Sequence, residues 1–127
     1  MTATDFVNGI NHVGVPTENL EATVKFYEDL GFKEIYSTMN GDSKVCFLEF
    51  GNIQIETYEV EKAAMVRGGI DHLALNCTDI EACFAAVKEL PYPVVEGITF
   101  LPFWENGVKY FLVQGPNMEI IEFIQKL

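Results

Sequence analysis

Arginine is the scarcest charged residue in this chain: among 127 residues there is one, Arg67. Arginine forks are the usual grip on phosphate and other multiply charged anions, so such ligands find little to hold them here. Basic residues are few altogether, 8 against 19 acidic, and the net charge of −11 repels nucleic acid and anionic membrane surfaces. No apolar run reaches the roughly 18–20 residues that a membrane-spanning helix needs. The opening Met1-Thr2-Ala3-Thr4-Asp5 carries no basic stretch ahead of an apolar one, so it does not read as a secretory signal. Cysteines number three, without a CxxC spacing, and Cys46 and Cys83 stand among apolar neighbours. That pattern predicts buried, reduced thiols in a cytoplasmic protein. Histidine occurs at two positions only, His12 and His72.

What is present is a large apolar share, 49% of residues, enough for a sizeable core. Residues 6–16 read as a strand ending at Pro16, with Phe6, Val7, Ile10, Val13 and Val15 as its apolar members. Asn19 is placed to cap a helix whose stripe is Leu20, Thr23, Val24, Tyr27 and Leu30, and Gly31 stops it. Strands follow at 33–39, 44–50 and 53–60, turned by Asn40-Gly41 and Gly51-Asn52. Residues 61–69 form a link, read as a short helical turn and a Gly-Gly break. The order then repeats: a strand at 69–76, and a helix capped by Asp79 with the stripe Ile80, Cys83, Phe84, Val87 and Leu90. Pro91 and Pro93 end that helix. Strands at 94–101, 108–114 and 119–125 complete the chain, with Asn106-Gly107 and Gly115-Pro116-Asn117 between them.

Fixed offsets test the duplication. His12 matches His72, Leu20 matches Ile80 and Leu30 matches Leu90 at an offset of 60. Asn40-Gly41 matches Asn106-Gly107, and Glu56 matches Glu122, at 66. The six extra residues of the second half are placed after the second helix, around Pro91 to Pro93 and the loop beyond. The chain thus reads as one α+β domain over 1–127, made of two tandem βαβββ modules at about 6–60 and 69–127. If a pseudo-twofold axis relates the modules, equivalent positions converge on it. His12 and His72 then meet Glu56 and Glu122, two imidazoles and two carboxylates. Such a set suits Zn, Ni, Co or Mn, with Fe(II) less favoured, and leaves coordination positions open. Glu122, inside Ile120-Ile121-Glu122-Phe123-Ile124, is too costly a carboxylate to bury without a partner or a metal.

Asn11-His12-Val13-Gly14-Val15 and Phe26-Tyr27-Glu28-Asp29-Leu30-Gly31-Phe32 resemble motifs of the vicinal oxygen chelate superfamily. So do Asp71-His72-Leu73-Ala74-Leu75 and the run from Gly115 to Phe123, where Met118 stands at a position that is usually glycine. This superfamily spans glyoxalase I, methylmalonyl-CoA epimerase, extradiol dioxygenases, fosfomycin-resistance thiol transferases and bleomycin-binding proteins. The resemblance covers the whole chain. It implies that the modules form a cupped, incomplete β-barrel around a metal site.

The ligand order His, Glu, His, Glu most resembles glyoxalase I. Epimerases of the superfamily usually carry glutamine where this chain has Glu56, extradiol dioxygenases use two histidines and one carboxylate, and thiol transferases lack the Glu56-type ligand. Glutathione-binding glyoxalases place an arginine shortly after the first histidine and an asparagine after the Glu56-type ligand. Here those stretches read Val15-Pro16-Thr17 and Tyr58-Glu59-Val60, so a substrate free of glutathione is implied. The implied reaction is proton abstraction beside a metal-chelated carbonyl of a small molecule, in the manner of a lyase, isomerase or epimerase. Glu122 is the base, and Glu56 the other candidate. Phe100, Phe103 and Trp104 are read as pocket walls. Two alternatives stand beside this: an acidic, non-catalytic binder of a cationic drug using Trp104, and an Fe(II) extradiol-type dioxygenase. Modules of the superfamily pair within one chain or across two, and short relatives are often dimers, so a homodimer is the expectation here.

Overall fold

Asn19 and Asp79 open the two helices by the same device. The Asn19 side chain accepts from the Ala22 amide at 3.1 Å, and Asp79 from the Ala82 amide at 3.1 Å, so each satisfies an N–H that the first turn leaves unpaired. Helix α1 runs Leu20–Asp29 and buries Thr23, Phe26 and Tyr27. Gly31 (φ +107°) turns the chain out of it. Helix α2 is shorter, Ile80–Val87, and stops before the stripe reaches Leu90. Pro91 disfavours helical backbone at the residue before it, which ends the helix a turn early.

The computed structural model describes residues 2–6 and 8–127. The chain divides into two compact units, Met1–Glu61 and Lys62–Leu127. The first holds a four-stranded sheet of β1 (Val13–Thr17), β2 (Lys33–Asn40), β3 (Ser43–Phe50) and β4 (Ile53–Glu59), in the order β1-β4-β3-β2. The second holds β5 (His72–Asn76), β6 (Val94–Leu101), β7 (Val108–Gln114) and β8 (Ile120–Lys126), in the order β5-β8-β7-β6. In both, the first and last strands are parallel and the rest antiparallel. Each unit is therefore a βαβββ module, and the fold is α+β.

Each sheet buries one face against its own helix. In the first unit that layer holds Phe26, Tyr27, Phe32, Cys46, Leu48 and Ile55, with Tyr27 edge-on to both Phe26 and Phe32. In the second it holds Ile80, Val87, Phe111, Val113, Ile121 and Phe123, with the Phe111 and Phe123 rings stacked at 4.9 Å. The buried threonines of the first unit are all bonded. Thr23 donates to the Thr17 hydroxyl at 2.9 Å, Thr17 to the Asn19 carbonyl at 3.1 Å, and Thr57 to the Val15 carbonyl at 2.9 Å.

Several sequence expectations change. The first strand begins at Val13 rather than residue 6. Ala3–Phe6 is a 3₁₀ turn, Phe6 and Ile10 are exposed, and Val7 lies outside the described residues. Pro16 does not end this strand but lies inside it. It is tolerated because β1 is an edge, where a missing N–H costs no ladder bond. Residues 61–69 form no helical turn. The length difference between the modules falls mostly in one place. The β6–β7 loop spans 102–107, whereas β2 and β3 are joined by Gly41-Asp42 alone. Asn40-Gly41 and Asn106-Gly107 are thus not equivalent positions, since Asn40 is the last residue of its strand and pairs with Ser43.

Candidate functional site

The parallel pairs fix where the histidines point. In the β1–β4 ladder Gly14 stands opposite Glu56, and in the β5–β8 ladder Ala74 stands opposite Glu122. Each histidine precedes its partner position by two residues, and side chains two apart in an extended chain share a face. His12 Nε2 accordingly lies 3.4 Å from Glu56 Oε1, and His72 Nε2 lies 2.7 Å from Glu122 Oε2. The structure brings each histidine to the glutamate of its own module. Among the described residues, no group of three or more His, Cys, Asp or Glu side chains is gathered to hold a metal ion.

The other ring nitrogens are also engaged. His12 Nδ1 is 2.7 Å from Asn11 Oδ1, and His72 Nδ1 is 2.9 Å from Asp71 Oδ2. Asp71 in turn receives a two-pronged grip from Arg67, Nε to Oδ1 at 2.9 Å and Nη2 to Oδ2 at 2.6 Å. That guanidinium first, and His72 second, hold the Asp71 carboxyl down to about 2. An ionised carboxylate only accepts, so Nδ1 of His72 is the donor. Nε2 then faces a second carboxylate, that of Glu122. An imidazole nitrogen beside a carboxylate, with the far nitrogen tied to an acceptor, is chemistry that fits a first-row divalent ion.

Glu122 is 8% exposed, and burial raises its carboxyl above the usual range. The His72 charge works against that shift, while Glu96 and Asp71 reinforce it. Glu96 shares the sheet face of Glu122 and accepts from Tyr110 Oη at 2.8 Å and Thr99 Oγ1 at 3.2 Å.

The first unit surrounds its pair with aromatic rings that sequence reasoning passed over. Phe47 pairs across the ladder with Glu56, and its ring meets His12 edge-on at 5.7 Å. Tyr36 lies against Phe47 at 6.1 Å. Tyr58 shares the face too, with its ring beside Gly14. A usable signal was present: a two-residue turn at Gly51-Asn52 fixes the hairpin register and puts Phe47 opposite Glu56. Of the residues read as pocket walls, one lies on a strand and two in a loop. Phe100 pairs with Lys109, on the face opposite Glu122, and packs at Gly107. Phe103 and Trp104 are exposed in the β6–β7 loop, and Lys126 sits 4.4 Å over the Trp104 ring.

Two such modules, each offering an imidazole–carboxylate pair, define a class. Residues 9–123 match the family model described as Glyoxalase/Bleomycin resistance protein/Dioxygenase superfamily, and the chain belongs to that superfamily. Among its relatives is YwbC of Bacillus subtilis (strain 168), 30% identical over 125 residues, which cover 92% of this chain and 97% of that protein. A glyoxalase family protein from Enterococcus faecalis shares the fold with a TM-score of 0.78 at 23% identity, covering 94% of this chain and 98% of its own. A glyoxylase/bleomycin resistance protein/dioxygenase domain from Frankia sp. EAN1pec shares it at 0.77 and 14% identity, covering 95% and 99%. The superfamily contains many enzymes, typically binds divalent metals and small molecules, and often forms dimers. No helix among the described residues is long and apolar enough to cross a membrane.

Proposed function

We propose that the protein is a metal-dependent isomerase or lyase of the glyoxalase I type. It moves a proton next to a carbonyl of a small molecule, with His12, Glu56, His72 and Glu122 as the metal ligands. The observation that carries this is the repeated pairing of each histidine with the glutamate of its own module at equivalent register. When bound, a divalent ion supplies Lewis acidity to a chelated carbonyl. The remaining work falls to the chain. Glu122 is the base, the ligand that would leave the metal when substrate binds: it is the more buried carboxylate, its side chain 11% accessible against 26% for Glu56. Glu122 takes the proton from carbon and returns it to the neighbouring atom, so no external acid or base is consumed. Phe47, Tyr36 and Tyr58 give an apolar wall on the Glu56 side. Phe103 and Trp104 are left to the loop.

The substrate carries no glutathione, since Pro16 and Glu59 stand where a glutathione site would offer cationic and amide groups. The drug-binding alternative is weakened by Lys126, which covers one face of the only tryptophan. An extradiol-type dioxygenase leaves Glu56 without a role, although it is paired with His12 as closely as a ligand pair requires. We assign a homodimer as the working assembly. The exposed Ile35, Tyr36 and Met39 on edge strand β2 supply apolar surface for it.

The test is metal analysis of purified protein, followed by a panel of α-hydroxycarbonyl compounds and hemithioacetals in deuterated water. The reading requires one divalent ion per chain, lost in both His12→Ala and His72→Ala, and deuterium entering the substrate at carbon. Full turnover by metal-free His72→Ala protein would overturn it. Glu122→Gln is expected to cut turnover by roughly 10²–10⁴-fold, the range that a positioned proton-transfer group contributes.

A further inference from the structure

The single arginine of the chain is committed to the second module's histidine, and among the described residues no arginine or carboxylate is found behind the first. Arg67 lies in the link between β4 and β5, whose Met65 holds a left-handed φ of +55°. Its fork engages both oxygens of Asp71 at 2.9 and 2.6 Å, and Asp71 Oδ2 also meets His72 Nδ1 at 2.9 Å. Beyond the ring, Nε2 meets Glu122 at 2.7 Å. The series Arg67–Asp71–His72–Glu122 is continuous, and all four residues belong to one compact unit. At the matching place in the first module stands Asn11, an uncharged acceptor 2.7 Å from His12 Nδ1. There the histidine-to-glutamate distance is longer, 3.4 Å.

We infer that Arg67 is a positioning residue: it clamps the Asp71 carboxylate in the orientation that fixes the His72 ring and directs Nε2 at Glu122. The geometry explains why a fork is used. Asp71 is half-exposed and has free rotation about its side chain, so a lone carboxylate would swing between His72 and water. Two parallel bonds from a planar guanidinium remove that rotation, which a single ammonium cannot do. Because both partners are exposed, their attraction is screened, and the contribution is orientation rather than net stability. Partners behind a ligating histidine commonly change metal affinity by roughly 10- to 100-fold. The His72–Glu122 pair is therefore the better-prepared half of the ligand set.

The inference builds on the metal site proposed for these residues, and its test separates the two. In metal-free protein with ¹³C,¹⁵N-labelled histidine, ring relaxation reports how firmly each imidazole is held. Arg67→Ala should loosen His72 while leaving His12 and the backbone amides outside the link unchanged. Arg67→Lys, which keeps the charge and loses the fork, should loosen it to an intermediate degree. Zn(II) or Co(II) competition against a chromophoric chelator gives the second readout. Affinity should fall roughly 10-fold in Arg67→Ala and less in Arg67→Lys. An unchanged His72 ring in Arg67→Ala overturns the inference. So does unchanged or tighter metal binding, the result if Arg67 acted only by cancelling the Asp71 charge. If the parent protein binds no divalent ion, the metal reading fails by itself, and the relaxation measurement still decides whether Arg67 positions His72.

Discussion

At the scale of single residues, the candidate site consists of side chains held from behind. His12 and His72 were legible in the sequence because they are the only two histidines and obey one offset, and the glutamates because they obey another. Their supports were not legible. A residue next to a histidine in an extended run normally points to the other face. Asp71 reaches Nδ1 only because β5 begins at His72 and leaves Asp71 outside the strand. Arg67 could not be connected to either residue without the path of the link. The cysteines make the opposite case. All three are free thiols, and burial pushes Cys46 and Cys77 up to about 12, helped by Glu34 at Cys46 and by Cys83 at Cys77. A raised value keeps the thiol protonated and unreactive until the pH climbs far above neutral. Against an ordinary value of 9.0, the thiolate fraction at pH 8 falls roughly 1,000-fold. Native protein should accordingly react with iodoacetamide at pH 8 far more slowly than urea-unfolded protein. Rapid labelling of Cys46 in the folded state would contradict this.

At the scale of elements, both helix starts were legible to the residue, because caps are local, while α2 ends a turn before its stripe does. The Gly51-Asn52 turn and its hairpin followed as well, whereas Asn106-Gly107 ends a six-residue loop. The start of β1 was not, since Phe6 and Ile10 are apolar but find no sheet to join. The loops of the second module carry its strain. Gly107 has φ +86°, and a Cβ there would overlap the Phe100 ring and crowd the Leu101 carbonyl. Gly107→Ala should destabilise the protein by about 1–2 kcal/mol, from the left-handed backbone alone, in urea unfolding. Met118 shows the reverse. It holds φ +62° in the β7–β8 turn, at the position where the resemblance calls for glycine. Relief of the left-handed penalty, about 1–2 kcal/mol, exceeds the extra chain entropy of glycine, about 0.5–1 kcal/mol. Met118→Gly should therefore stabilise by about 0.5 kcal/mol, and a clear loss of stability would show that the Met118 side chain packs usefully.

At the scale of the whole molecule, charge and ligand both act on stability. A net charge of −11 over 127 residues repels itself in the folded state. Neutral salt screens that repulsion, so Tm should rise modestly between about 10 and 150 mM NaCl, where the screening length falls from about 30 to 8 Å. Under the proposed metal site, a bound divalent ion would add a larger effect. At a free concentration 100 times its dissociation constant, an ion that binds only the folded chain stabilises by about 2.7 kcal/mol, and EDTA should remove that increment in a thermal melt. What the sequence left open is which rings face the carboxylates, because that depends on strand register rather than on composition.

The β6–β7 loop has a consequence for how such a protein can be altered. It is four residues longer than its counterpart, 102–107 against 41–42, yet Ala74 still faces Glu122 just as Gly14 faces Glu56. The alignment of histidine with glutamate is set by the parallel edge ladder, which does not pass through that loop. The loop is thus a length-tolerant insertion site: a peptide graft or an affinity tag placed there can grow the chain while the His72–Glu122 spacing stays fixed.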